Sequence, residues 1–198
     1  MPEPASADTA LPQGPDVDVV DLLLTQHARI EEQFLLVTGA SGARRQEAFD
    51  DLVRMLAVHE TAEEEVVHPL SRTIDPHGGG VVDDRLQEER QAKEMLTALL
   101  NADLDSEGFE ASLLMLRTAV LTHARYEERY EFPQLRAKVP PDRLRALASV
   151  VRAAEAAAPT RPHPGVESAT ANLIAGPALA AVDRIRDLVR EAVRRDAS

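Results

Sequence analysis

Apolar residues recur along this chain at steps of three and four, the period of helices buried on one side, and no stretch alternates as a half-buried strand does. The pattern predicts four long helices, over about 16–37, 46–72, 82–100 and 109–138. Gly39, Ser41 and Gly42 break the chain after the first. The stretch Asp75-Pro76-His77-Gly78-Gly79-Gly80 cannot continue the second. Asn101 to Gly108 forms a polar turn, and Val139-Pro140-Pro141 ends the fourth helix. Short connections make the helices antiparallel neighbours, so the expected fold is all-α, an up-down antiparallel four-helix bundle over residues 16–140. A helical extension follows over 141–198. It holds an Ala- and Arg-rich helix, a Pro-rich linker at 159–165 and an amphipathic helix from Pro177 to Arg195 that packs on the bundle or joins two copies as a homo-dimer. Residues 1–15, rich in Pro, Ala and Asp, read as a disordered tail and not as a signal peptide.

The apolar seam is broken near the middle of every helix. The first reads Val20, Leu23, His27, Ile30, Phe34. The second reads Phe49, Leu52, Leu56, His59, Glu63, Val66, Leu70. The third reads Val82, Leu86, Glu89, Lys93, Leu96, Leu100, and the fourth Leu113, Leu116, Val120, His123, Glu127, Tyr130. These interruptions belong to an internal repeat. His59 and His123 each start a stretch with Glu-Glu at positions four and five and Pro at position ten, at an offset of 64 residues. Val19-Val20-Asp21 recurs as Val81-Val82-Asp83, at an offset of 62, which sets His27 opposite Glu89. The two halves are therefore helices one and two, and helices three and four.

Composition narrows the chemistry. Apolar residues make up 44% and charged residues 28%, enough for a real core. The formal net charge of -12 disfavours nucleic acid and anionic membrane as partners. With no cysteine there is no disulfide, thiolate metal site or thiol nucleophile, and a cytoplasmic location fits. No run of about 18 apolar residues predicts a membrane span.

A layer of three carboxylates and three imidazoles inside a bundle is costly unless positive charge sits within it, and Lys93 alone cannot supply enough. Bound metal can. His and Glu at i and i+4 lie about 40° apart around a helix and reach one point in the core. The pairs His59/Glu63 and His123/Glu127, with His27 and Glu89, make six candidate ligands, which suit two carboxylate-bridged ions better than one. Nitrogen and oxygen donors without sulfur favour iron or manganese, with zinc also compatible. For Glu89, a buried pair with Lys93 is the competing reading.

These residues resemble the hemerythrin HHE cation-binding family: His27, then His59-Glu60 with Glu63-Glu64, then His123 with Glu127-Glu128 and Phe132-Pro133. The order His-x-x-x-Glu separates this pattern from the Glu-x-x-His pairs of ferritin-like bundles. Arg161-Pro162-His163-Pro164-Gly165 also looks like the C-terminal extension of actinobacterial members. The resemblance implies a hemerythrin-like bundle with a non-heme, oxo- or hydroxo-bridged di-iron centre. It makes Glu63 and Glu127 the bridging carboxylates, and His27, His59 and His123 the terminal ligands. The chain departs from the oxygen carriers of that family on the third helix, where Glu89 and Lys93 stand in place of histidines. A carboxylate-rich centre favours the ferric state, which suits a role in oxidative stress, meeting peroxide in a catalase-like way, more than reversible oxygen carriage. The alternative is sensing or sequestering oxygen, nitric oxide or iron without turnover. No separate catalytic side chain is singled out.

Other polar residues read as structural. Glu60, Glu64 and Glu128 fall off the seam onto a solvated face, with a bond to a ligand's other ring nitrogen as their alternative. Tyr126 and Tyr130, which flank Glu127, read as core or boundary packing, with a phenol that ligates or hydrogen-bonds at the iron pair as their alternative. His68 points away from the His59 direction and reads as packing at the bundle end. His77 and His163 lie in Pro-flanked loops.

Overall fold

In the computed structural model, which describes residues 14, 16–74 and 79–157, the chain is helical and no strand occurs among the described residues. Helix α1 spans Val19–Gly39 and α2 spans Gly42–Ala62. The same rod continues through a π-helical turn, Glu63–Val67, into α3, His68–Ile74. Helix α4 spans Gly79–Leu100. Helix α5, Phe109–Tyr126, likewise runs through a π turn, Glu127–Glu131, into α6, Phe132–Lys138, and α7 spans Pro141–Ala157. The four rods form the expected bundle, and α7 packs across α1 and α2. No helix among the described residues is long and apolar enough to cross a membrane. The expected tail at 1–15, the linker at 159–165 and the helix at 177–195 lie outside the described residues, apart from Gly14.

Local signals account for the ends. Asp18 caps α1: its carboxylate accepts from the Asp21 N–H at 2.9 Å, and the Asp21 carboxylate accepts from the Asp18 N–H at 3.0 Å. Ala40 and Ser41 are extended, and Gly42 re-enters the helix at φ +57°, where a side chain would be strained. Arg45 donates to the carbonyls of Ala40 and Leu104 at 2.8 and 3.0 Å, tying both connections at that end of the bundle together. The polyglycine stretch contributes more to helix than expected. Gly79 and Gly80 open α4, in the first turn, where N–H groups have no helical partner in any case.

The two π turns were not expected. Each shifts the ladder by one residue, so the His68 N–H donates to the Glu63 carbonyl and the Phe132 N–H to the Glu127 carbonyl, five residues back. Pro69 and Pro133 follow immediately. A proline lacks the N–H that the α ladder needs, so it costs least where that ladder is already interrupted.

The shift rotates all that follows. Tyr130, assigned to the seam by simple periodicity, is 50% exposed, and Glu131 and Phe132 are buried in its place. On α4 the buried stripe runs Val82, Arg85, Glu89, Ala92, Leu99, which leaves Lys93 at its edge.

The apolar core comes in two parts. One gathers Val20, Leu23, Val67, Leu70, Phe132 and Leu135 with Leu144, Ala148 and Val151 of α7. The other gathers Ile30, Phe34, Phe49, Leu52, Leu56, Leu99, Phe109 and Leu116. The polar layer lies between them. Truncating fully buried Phe34 to alanine should cost about 3–5 kcal/mol. Leu36→Ala, at 56% exposure on the same helix, should stay within about 0.5 kcal/mol. Urea denaturation of both variants checks the assignment.

Candidate metal centre

All six predicted residues meet in one buried layer. His27, His59, Glu63, Glu89, His123 and Glu127 are between 0 and 8% exposed. Glu63 and Glu127, the first residues of the two π turns, lie at its centre. Glu63 turns Oε1 toward His59 Nε2 (3.2 Å) and His27 Nε2 (3.7 Å), and Oε2 toward His123 Nε2 (3.8 Å). Glu127 turns Oε2 toward His27 Nε2 (3.5 Å) and Oε1 toward His123 Nε2 (3.4 Å). Each carboxylate thus offers one oxygen to the His27/His59 side and the other to the His123 side. Glu89 Oε1 lies on the second side, 3.9 Å from His123 Nε2. Donor atoms gather into overlapping groups, His27/His59/Glu63/Glu127, Glu63/Glu89/His123 and His68/Glu127/Glu131, each within 4.8 Å. Glu63 and Glu127 are the members shared between groups.

The inward atoms lack partners. His27 Nε2, His123 Nε2, both oxygens of Glu63 and both of Glu127 are buried with no hydrogen bond among the described residues. Leaving so many strong donors and acceptors unsatisfied would cost several kcal/mol, whereas a cation within the layer satisfies them together. The residues present therefore fit a metal ion.

The outward nitrogens are held. His27 Nδ1 lies 2.8 Å from Glu128 Oε1, His123 Nδ1 lies 3.1 Å from Glu88 Oε2, and His59 Nδ1 lies 3.0 Å from Gln26 Oε1. In each case the ring N–H donates outward and aims Nε2 into the layer, the construction expected around metal-ligating histidine. The outer groups are held in turn. Arg85 donates to Glu88 at 2.7 Å and lies 4.6 Å from the centroid of the Tyr126 ring. Gln26 donates to Glu155 of α7 at 3.4 Å, and Arg29 donates to the same carboxylate at 3.0 Å.

Several residues depart from their first sequence reading. Glu128 takes the alternative given to it, a bond to the other ring nitrogen of His27, instead of lying on a purely solvated face. Lys93 pairs with Glu64 and with Glu60 (3.3 Å), and Glu89 is its most distant carboxylate at 4.0 Å. Tyr126 and Tyr130 stack on each other outside the layer. The largest correction concerns His68. It is 3% exposed and not at the bundle end: its Nε2 donates to Glu89 Oε1 at 2.5 Å and its Nδ1 lies 3.4 Å from Glu131 Oε1. The π turn brings it there. The signal in the sequence was a proline ten residues after each histidine, inside a helix that nonetheless continues.

A cavity of about 20 Å³ adjoins the layer, bounded by His27, His59, Glu60, Glu63, Glu89 and His123 on the polar side and by Ile30, Leu56, Ala92 and Val120 on the other. It holds a molecule of a few atoms at most.

Protonation follows from burial and charge. Burial pushes His59, whose outer partner is a neutral amide, down to about 4. Burial also opposes charge on His123 and His68, but the carboxylates win. Glu127 and Glu63 hold His123 up at about 12, and Glu131 and Glu89 hold His68 at about 10. His27 is raised as well, against burial, by Glu127 and Glu128. Burial acts to raise Glu63, but the surrounding imidazoles hold it well below the carboxylate range. Without metal, protons on the imidazoles therefore balance the carboxylates.

The sequence model of the Hemerythrin HHE cation binding domain matches residues 18–135, and the chain belongs to that family of metal-binding helical bundles. Among solved structures, the fold matches a Hemerythrin HHE cation binding domain-containing protein from Mycobacterium kansasii. That match has a TM-score of 0.64 and 20% identity, and covers 88% of this chain and 98% of the other. A relative from Nostoc sp. (strain PCC 7120 / SAG 25.82 / UTEX 2576), described as a DNA nickase, is 24% identical over 141 residues. The match covers 71% of this chain but only 40% of that relative's length.

Two outcomes follow. The imidazoles raised by folding stabilise the metal-free protein fully below their unfolded value of about 6.5, and lose that contribution as pH rises toward about 10. Lowered Glu63 contributes above about 4.5 and fails as pH falls. The melting temperature of metal-free protein should therefore peak at mildly acidic pH and decline toward pH 10, while metal affinity rises over the same interval because protons no longer compete. Thermal scans and metal titrations at several pH values check both. Second, Gln26→Leu removes the acceptor behind His59 and should weaken metal binding by about 10–100-fold, measured by competition with a chelator.

Proposed function

We propose that this chain is a non-heme di-iron protein that decomposes hydrogen peroxide. The observation that carries the di-iron reading is the pair Glu63 and Glu127, each presenting one oxygen to His27 and the other to His123. That arrangement suits two ions sharing two carboxylates. His27 and His59 serve one, and His123 and Glu89 serve the other. Buried Glu63, Glu89, Glu127 and Glu131 offset the charge of two divalent cations, which supports two ions over one. Nitrogen and oxygen donors favour iron, with manganese or zinc as weaker fits.

Peroxide is favoured by ligand chemistry and by space. The layer is rich in carboxylate, which stabilises the more oxidised metal, and the adjoining cavity accepts a molecule the size of hydrogen peroxide. Disproportionation of two peroxides to two waters and dioxygen balances without an outside reductant. A bound iron pair would supply the two-electron chemistry that these side chains lack. The chain's own residues shape the pocket and move protons. Ile30, Leu56 and Val120 keep bulk water from its inner wall. Glu60 lines the same cavity, and in the metal-free protein burial raises its carboxyl to about 7 against the pull of Lys93, which makes it the carboxyl best placed to exchange a proton with a molecule held there.

A second reading, sensing or sequestering oxygen, nitric oxide or iron without turnover, is favoured by one feature. His59 is linked through Gln26 to Glu155 of α7, so a shift of that ligand reaches the C-terminal extension. Nicking DNA is not favoured. That description belongs to a relative much longer than this chain, and a net charge of -12 opposes approach to phosphate. The acidic, cysteine-free composition supports a cytoplasmic setting.

The purified protein should carry about two irons per chain and accelerate peroxide loss, and Glu63→Ala together with Glu127→Ala should abolish both. Iron analysis with an oxygen-electrode assay decides. Two bound irons without dioxygen release would shift the assignment to sensing or storage. Failure to bind iron after anaerobic loading would overturn the metal reading.

A further inference from the structure

His68 has no place in the ligand set that the repeat motif defines, yet it is built like the three histidines that do. Its ring lies in the same buried layer. One nitrogen faces inward, and the other faces a carboxylate that is itself held: Ser71 Oγ donates to Glu131 Oε1 at 2.5 Å, and the same oxygen lies 3.4 Å from His68 Nδ1. An outer partner that fixes the tautomer and aims the second nitrogen is how His27, His59 and His123 are presented. A histidine serving only as apolar packing needs no such support.

The internal repeat says what His68 replaces. The 62-residue offset sets His27 against Glu89, and the 64-residue offset sets His68 against Phe132. The structure pairs these positions crosswise. Both contacts run between the halves: the His27 ring stacks on Phe132 at 5.7 Å, and His68 meets Glu89. Each of the two contacts therefore has one imidazole. On the His27 side it comes from the first helix, and on the His123 side it comes from the second rod, just past its π turn. The side that lacks an imidazole at Glu89 regains one at His68.

We propose that His68 Nε2 is a ligand of the second metal position, beside His123 and Glu89, with Glu131 as the carboxylate behind it. The inference rests on the metal reading above. His68 also lies in one donor group with Glu127, the carboxylate shared with the first position, each within 4.8 Å. Ligation requires the proton between His68 and Glu89 to leave, after which both atoms face the same ion. The second position then has two imidazoles, as the first has in His27 and His59.

The test loads metal-free protein, labelled with nitrogen-15 in its histidine rings, with cobalt(II). Each ligating imidazole then gives a strongly shifted, solvent-exchangeable N–H resonance. Four are expected, assigned through single His→Gln variants, and His68→Gln should lose one while its second cobalt equivalent binds at least about tenfold more weakly. Adding Glu89→His to His68→Phe, which makes this contact resemble that of His27 with Phe132, should restore the second equivalent. Three shifted resonances with His68 at its diamagnetic position would overturn the proposal, as would unchanged two-site binding in His68→Gln. Wild-type protein that takes up neither cobalt nor iron would instead sink the metal reading beneath it. If His68→Gln does not fold, the wild-type count decides alone.

Discussion

Four carboxylates buried in one layer are the constraint on which the rest of this bundle depends. Glu63, Glu89, Glu127 and Glu131 are each no more than 5% exposed, and they divide the apolar core into two parts. A charge so placed is tolerated only with a partner. The imidazoles supply partners when protonated, and metal supplies better ones. Each apolar cluster then acts as a wall. It keeps water from competing for the donor atoms and fixes the rods at the separation that brings four helices' side chains together. Stability and site geometry are coupled here, because loosening either wall would admit water to an expensive charged layer.

The π turns show how the fold meets that constraint. A straight α-helix offers one residue to a given point about every fourth position, so a rod contributes His and Glu at i and i+4 and then drifts away. Widening one turn returns a further residue to the same face. Both rods do this at the same place in the repeat, with Glu63 and Glu127 opening the turns and Pro69 and Pro133 closing them. The turn costs backbone hydrogen bonding but places His68, and by the same shift Glu131, in the layer. Irregular backbone inside a helix thus coincides with the buried layer of histidines and carboxylates.

This explains which parts of the site the sequence disclosed. Helices, their order and the six seam-breaking residues follow from a period near 3.6, and all six meet as that period implies. Reasoning failed from the turns onward, where the period changes: Tyr130 went outward, and His68 went inward beside Glu131, a residue to which no role had been given. It also failed wherever a side chain reaches across to another helix. Nothing local to Gln26 or Glu88 tells that each faces a histidine on a different rod, and for Glu128 that contact was only the alternative to a solvated face. Lys93 sits one position from the buried stripe of α4, and a flexible four-carbon stem lets it choose Glu60 and Glu64 over the nearer-in-sequence Glu89.

The outer partners also make the histidines unequal. His27 and His123 donate to carboxylates, whereas His59 donates to the amide of Gln26. A carboxylate behind an imidazole raises its basicity and its strength as a donor to metal, and a neutral amide does so less. The pKa values follow the same order, with His59 depressed by burial and the other two raised. His59 is therefore the imidazole of the three that burial leaves uncharged, and the Gln26 contact is what orients it. That contact is the one tied to α7, through Glu155. The helix beyond the four rods thus bears, through Gln26, on the imidazole that carries no charge to hold it in place.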